Sequence, residues 1–291
     1  MNPLIWDPDP VAFTLPFFGR PIMWYGVLFA FAFFFAYLLV LRQLKAYYRQ
    51  DIDLESEMEV GKKAQKVIDK LLLWVGLGLL LGARLFHVIF YESDKLLKSP
   101  LQALNAWEGG LASHGGAIGA LLGLILVVRL NRKLFDRLGV FKVLDFFVPA
   151  AAVMGTLIRV GNFINQEVLG RAYEGLFSVV FVNPMDASPI YGRHPVQLYE
   201  ALFFLSMALL TPLLKRLFRS FGSGALSGCF IALTFAFRFW IEDYKLEQSS
   251  GFESIFNMGA WLSLPMIFIG LLLMYVSFSR DSAKEGPGLG E

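Results

Sequence analysis

The 291-residue chain has a single cysteine, Cys229, so an intramolecular disulfide or a multi-cysteine metal site is excluded. Cys229 lies in the apolar run LSGCFIALTFAF, where packing is its expected role. Histidine is nearly as scarce. His87, His114 and His194 show no His-x-x-x-His spacing, and neither a metal nor a cofactor is expected. No serine or cysteine stands in a recognisable triad or elbow context, which argues against a covalent intermediate on the protein. Net charge is only +2, and the Lys and Arg residues form short runs between apolar segments. A nucleic-acid partner needs clustered basic residues on one exposed face, so no nucleic acid is expected. A basic region ahead of the first apolar run is also missing: Asp7 and Asp9 precede Arg20. That run is expected to stay in the membrane rather than be cleaved. No internal repeat and no low-complexity tract is found.

What is present is apolar length. The chain is 56% hydrophobic, with a mean hydropathy of +0.56, 29 Phe and 6 Trp. This exceeds the composition of soluble domains and points to the lipid bilayer as solvent. Runs near the roughly 20 residues a span requires fall at 22–41, 71–91, 111–130, 141–160, 196–214, 224–243 and 258–279. The expected fold is an all-α integral membrane protein with seven transmembrane helices. Seventeen Lys and Arg flank the spans on one side against six on the other, while Arg84, Arg159 and Arg238 lie inside spans. That asymmetry predicts the N-terminus outside and the C-terminus cytoplasmic. Residues 1–280 form the membrane domain, with a small extracytoplasmic insertion at about 161–195 between helices 4 and 5. Within it, LFSVVFV (Leu176–Val182) is too short to span and predicts a strand. Gln50–Lys70 is expected as a solvated cytoplasmic connection, and residues 281–291 as a disordered cytoplasmic tail.

The most informative stretch is RVGNFINQEVLGR, Arg159–Arg171, which starts inside an apolar run. A charge at the centre of a membrane helix costs about 2.5–3.5 kcal/mol on insertion scales, so such a residue calls for a functional reason. The bland reading is a charge cluster capping a helix at the water boundary. On the expected topology, however, the other misplaced polar residues fall in the same outer half. Asn162 follows Arg159 by three positions, although Gly161 puts the helix there in question. His114 lies about one turn into span 3, and Arg238 and Glu242 share a face of span 6. Tyr25 opens span 1, Glu200 opens span 5, and Arg84 lies about two-thirds of the way out along span 2. Each has a bland counterpart: a packing histidine, an internal ion pair, an interfacial tyrosine, glycines Gly115 and Gly116 serving helix contact. All of these would have to hold on one side of the membrane. Guanidinium groups match phosphate geometry, and a histidine beside them suits general-base work. A phospholipid-binding enzyme follows; its reaction does not.

The motifs WYG (Trp24–Gly26), GARLFHVIFY (Gly82–Tyr91), WEGGLASHGGAIG (Trp107–Gly119), RVGNFINQEVLGR, GRHPVQLYE (Gly192–Glu200) and FRFWIE (Phe237–Glu242) together resemble the prolipoprotein diacylglyceryl transferase family, in order and spacing, over nearly the whole chain. The resemblance implies transfer of the diacylglyceryl group of phosphatidylglycerol to the lipobox cysteine thiol of a prolipoprotein, with release of glycerol phosphate. It implies a bacterial inner-membrane location with the active site toward the extracytoplasmic side. By position, Arg159 and Arg238 hold the lipid phosphate and His114 is the candidate base. Tyr25, Asn162, Glu167, Gly170 and Glu242 match further substrate-binding positions, and Arg84, His194, Gln197 and Glu200 match supporting ones. The chain departs from the family pattern at Thr234, where tyrosine is frequent, at Lys245, where arginine is common, and at Ile158, where glycine is. The competing readings are a lipid or anion transporter using the same arginines, which the absence of repeats disfavours, and a membrane scaffold, which would leave three intramembrane arginines unexplained.

Overall fold

The computed structural model describes residues 3–16, 19–51, 54, 56–91, 113–136, 138–218, 222–246 and 258–284. Its helices are α1 (Trp24–Tyr48), α2 (Glu57–Tyr91), α3 (Ser113–Leu130), the short α4 (Arg132–Phe135), α5 (Val140–Ile164), α6 (Val196–Leu217), α7 (Ala225–Ile241) and α8 (Met258–Lys284). Among the described residues, six of these helices are long and apolar enough to cross a membrane; α3 is apolar but shorter. Large apolar side chains such as Phe31, Phe34, Leu81, Leu209 and Phe268 are exposed along these helices. Such a surface suits hydrocarbon rather than water. The chain is therefore an integral membrane protein. It divides into two compact units, one made of residues up to Leu39 with those from Leu144 onward, the other of Val40–Val143.

In the Val40–Val143 unit, α2 and α3 meet backbone to backbone. A Cβ on Gly78 or Gly82 would strike the carbonyl oxygens of Gly119 and Gly115, and one on Gly123 would strike that of Trp74. Small residues at four-residue spacing let two membrane helices approach this closely, so Gly115 serves helix contact. Helix α2 also begins well before its apolar run, at Glu57. The expected span began at 71, so the helix runs through much of the polar Gln50–Lys70 connection. Val60, Ala64, Val67, Ile68 and Leu71 are buried at helical spacing, and that stripe is enough to continue the helix into the polar segment.

In the other unit, α7 and α8 make a similar close contact, with Gly228 and Gly270 each facing the other's backbone. Helix α5 runs unbroken through Gly161 to Ile164, which places Arg159 and Asn162 on one face of its last two turns. Beyond it the chain forms a small extramembrane layer. Strand β1 (Leu4–Trp6) pairs parallel with β4 (Val179–Phe181), which pairs antiparallel with β5 (Gly192–Arg193). The strand expected within Leu176–Val182 is thus β4. A separate hairpin joins Val11–Thr14 to Pro21–Met23 just ahead of α1. The layer is fastened to the end of α5 by a core of Phe163, Leu169, Val179 and Phe181 with Trp6 packed against it. The Trp6 indole N–H donates to the Phe163 carbonyl at 3.0 Å. At the chain's other end, α8 continues to Lys284, four residues into the segment expected as a tail; residues 285–291 lie outside the described ones.

Candidate functional site

The last turns of α5 carry the centre of the site. The Arg159 guanidinium is held on two sides: Nη1 donates to Asn162 Oδ1 at 3.2 Å, and Nε lies 3.3 Å from Glu200 Oε2. Asn162 passes the contact on, its Nδ2 donating to Glu167 Oε1 at 2.7 Å. Gln197, fully buried, donates from Nε2 to the Glu167 carbonyl at 2.8 Å. Gln197 and Glu200 reach the cluster together because three positions in the first turn of α6 put them on one face. Tyr25, the second residue of α1, lays its ring on Gly161, where a Cβ would stand 2.8 Å from Tyr25 Cδ2. Its hydroxyl is within electrostatic reach of Glu167 and Arg159. Any side chain at 161 would push that ring away.

The turn after α5 is strained where it presents Glu167. Gln166 and Val168, on either side, have φ of 53° and 57°. The left-handed region is sparsely populated for any residue with a Cβ and least of all for a β-branched one, so tertiary contacts must impose it. Those contacts are visible: Gln166 Oε1 accepts the Asn183 backbone N–H at 2.8 Å, and its carbonyl accepts that of Met185 at 3.1 Å.

Beyond Glu167 the chain crosses the segment after α7. Gly170 bridges to Lys245, Leu246 N–H donates to the Leu169 carbonyl at 2.9 Å, and Arg171 N–H donates to the Tyr244 carbonyl at 2.8 Å. A Cβ on Gly170 would collide with the His194 carbonyl oxygen, so this crossing needs glycine. Arg193 is buried and donates to the Gly170 carbonyl, the Pro189 carbonyl and Ser188 Oγ at 2.8–3.0 Å. His194 stacks on Tyr173 at 3.9 Å between centroids, meets Tyr244 edge-on at 5.1 Å, and places Nδ1 3.3 Å from the Tyr199 hydroxyl. Desolvation in this aromatic nest pushes the imidazole pKa below its ordinary value, so His194 is neutral at neutral pH.

Lys245 closes the cluster. Its Nζ donates to Glu200 Oε1 at 3.0 Å and lies 3.4 Å from Glu242 Oε2. Glu242 also lies against the first turn of α8, where its carboxylate occupies the space a Cβ on Gly259 would need. Arg238 stands one turn before Glu242, half-buried, and among the described residues none pairs with its guanidinium. Arg159 Nη2 likewise has no partner among them.

One unit thus brings together Tyr25, Arg159, Asn162, Glu167, Gly170, His194, Gln197, Glu200 and Glu242. Arg84 and His114 belong to the other unit. Arg84 is buried on α2, with 2% of its surface exposed; His114 is in the first turn of α3, and its side chain lies outside the described residues. Arg171 is exposed, its Nε donating to the Lys245 carbonyl at 3.1 Å. Sequence reading did not single out Arg193, and named Lys245 only as a departure from the family pattern. The RHP motif was the available signal for Arg193; for Lys245 none existed without the fold.

These helices and this cluster define an integral membrane protein whose buried polar centre keeps arginine N–H groups in reserve. The model of the prolipoprotein diacylglyceryl transferase family matches residues 10–276, and the chain belongs to that family. It is 38% identical over 288 residues to the phosphatidylglycerol–prolipoprotein diacylglyceryl transferase of Tolumonas auensis, covering 97% of this chain and 100% of that one. The proteins of the same name from Porphyromonas gingivalis and Chlamydia muridarum are 35% and 32% identical, covering 93% and 94% of this chain and 93% and 98% of their own.

Proposed function

We propose that the Arg159 cluster binds the phosphate of phosphatidylglycerol and that the chain transfers its diacylglyceryl group to a prolipoprotein lipobox cysteine. The observation that carries this is the Arg159 guanidinium, oriented by Asn162 and Glu200 but with Nη2 left over. A pre-aimed donor in a dry site is worth far more than the same donor in water. Arg238, with no described partner, supplies the second cation.

In the reaction the cysteine sulfur bonds to the terminal glycerol carbon of the diacylglyceryl group, and the carbon–oxygen bond to phosphate breaks. The electron pair goes to the phosphate oxygen, which departs as glycerol phosphate, and the thiol proton goes to a base. The arginines stabilise the charge gained by the leaving phosphate more than the ground state, which is what accelerates the step. A free thiol has a pKa of about 8.5, so at neutral pH a base is useful, and His114 is assigned that role on chemistry alone. Asn162, Glu167, Tyr25 and Gly170 shape the headgroup site, and Gln197 and His194 support it; a supporting role for Arg84 rests on the family resemblance alone.

Chain path supports seven crossings. Strand β1 precedes α1 and pairs with β4, which follows α5, so both ends lie on one side of the membrane. An even number of crossings must separate them, and α1, α2 and α5 make four only with α3. At 18 residues, α3 is about 27 Å long, close to the hydrocarbon thickness. The basic flanks then put the N-terminus, the sheet and the site on the extracytoplasmic side of the bacterial inner membrane, and the C-terminus in the cytoplasm.

The test is to incubate the purified protein with phosphatidylglycerol and a lipobox peptide and to detect the diacylglyceryl thioether by mass spectrometry. Arg159→Ala is expected to lower turnover by about 10²–10³-fold, the range for loss of one transition-state donor, and to remain folded because Lys245 still neutralises Glu200. Normal turnover by that variant would overturn the phosphate role; no thioether from the wild-type protein would overturn the reaction.

A further inference from the structure

We propose that Lys245 is a positioning residue that keeps Arg159 available to an anionic headgroup by sharing the Glu200 carboxylate with it. The proposal rests on the reading of Arg159 as the phosphate-binding group. Glu200 is buried, with 4% of its surface exposed, and its two oxygens face different cations: Oε2 faces Arg159 Nε at 3.3 Å, and Oε1 accepts from Lys245 Nζ at 3.0 Å. Lys245 is itself buried, and its second neighbour is Glu242 Oε2 at 3.4 Å. One ammonium therefore sits between the two carboxylates that flank the arginines.

The charges show why this matters. By formal charge, the three cations Arg159, Arg238 and Lys245 balance the three carboxylates Glu167, Glu200 and Glu242. Without the ammonium the cluster would carry one net negative charge and would repel a phosphate. Glu200 would also lose the partner on Oε1 and draw the Arg159 guanidinium toward itself, so that an incoming phosphate would compete with a full carboxylate. A lysine suits the position because a compact ammonium with rotatable donors can serve two carboxylates from one nitrogen.

The backbone at 245 does not depend on its side chain. It bridges to Gly170, and its carbonyl accepts from Arg171 Nε at 3.1 Å. Side-chain variants can therefore test charge separately from the fold of the crossing.

The experiment measures kcat and KM for phosphatidylglycerol with the full-length protein in detergent–lipid micelles, alongside thermal unfolding. Lys245→Met is expected to raise KM about tenfold, as one uncompensated charge in a partly screened site would, with kcat changed less than KM. Lys245→Arg keeps the charge and should restore KM. The double variant Lys245→Met/Glu200→Gln removes the orphaned carboxylate with the ammonium and should bring KM part of the way back from the Lys245→Met value, though not to that of the wild-type protein, because Glu200 also orients Arg159. An unchanged KM in Lys245→Met overturns the proposal, as does a raised KM that the double variant fails to lower. If Lys245→Met does not fold, Lys245→Gln, which keeps a hydrogen-bond donor but not the charge, is held to the same criterion. Arg159→Ala, measured in parallel, reports the underlying reading by itself. Arg159→Ala impaired in kcat or KM with KM unchanged in Lys245→Met sinks charge sharing alone, whereas kcat and KM both unchanged in Arg159→Ala sink the phosphate role.

Discussion

Helix α5 carries a buried polar cluster at each end, and the two are satisfied to different degrees. Near its start, Asp145 is fully buried, and its carboxylate accepts the backbone N–H groups of Gly222, Gly224 and Ser227 and the Ser227 hydroxyl at 2.6–3.1 Å. It acts as an N-cap for α7 supplied from another helix. Gly224, at φ 100°, makes the turn that aims those N–H groups. About 21 Å further along the helix, the Arg159 cluster is incomplete. Among the described residues Gln197 Oε1 has no hydrogen-bond partner, and the guanidinium groups have donors to spare. Buried polar groups left short are costly, so a fold retains them only where something else completes the set. The closed cluster builds the fold, and on the proposed function a lipid headgroup completes the open one.

The largest effect that would break this comparison is at the closed end. Asp145→Ala leaves three buried N–H groups without an acceptor, and a loss of about 3–5 kcal/mol is expected, the range for removing one partner from a buried charged network. Thermal unfolding in detergent would show it as failure to yield stable protein. If instead the variant is stable and inactive, the distinction between the two ends falls. Next comes Gly170→Ala, at the margin of the open cluster. The added methyl meets the His194 carbonyl, and overpacking of this kind costs about 1–3 kcal/mol. The strain falls on the crossing of the 170 and 245 segments, so turnover should drop about tenfold or more while the unfolding midpoint moves modestly. A normal rate would show that the crossing does not position the site. The smallest effect is expected for Thr234→Val. The Thr234 hydroxyl oxygen is buried with no hydrogen-bond partner, so removing it breaks no bond and should change stability by about 0.5 kcal/mol or less. A clear destabilisation would mean that this hydroxyl belongs to a satisfied set after all.

Much of this was legible from residue order. Apolar runs marked the six helices that, among the described residues, are long and apolar enough to cross a membrane, and the β-branched cluster in LFSVVFV marked β4. Arg159, Asn162, Glu200 and Glu242 stood out because charge has no packing role in an apolar run. The early start of α2 at Glu57 was not legible, because a narrow apolar stripe in a polar segment reads as solvated chain until its burial is seen. Asp145 drew no notice because a single acid near a helix start is ordinary in sequence. Its importance comes from a turn 77–82 positions away.

The sequence by itself determined the solvent, the spans and the chemical inventory, because hydrophobic length and misplaced charge are local properties of the chain. The tertiary structure decided which of those charges answer one another. It made Lys245 a neighbour of both Glu200 and Glu242, made Arg193 the clamp on Gly170, and left Arg238 and one edge of Arg159 without a partner among the described residues. Pairing depends on distances between segments far apart in the chain, and a few ångströms separate a neutralised arginine from one ready to hold a phosphate.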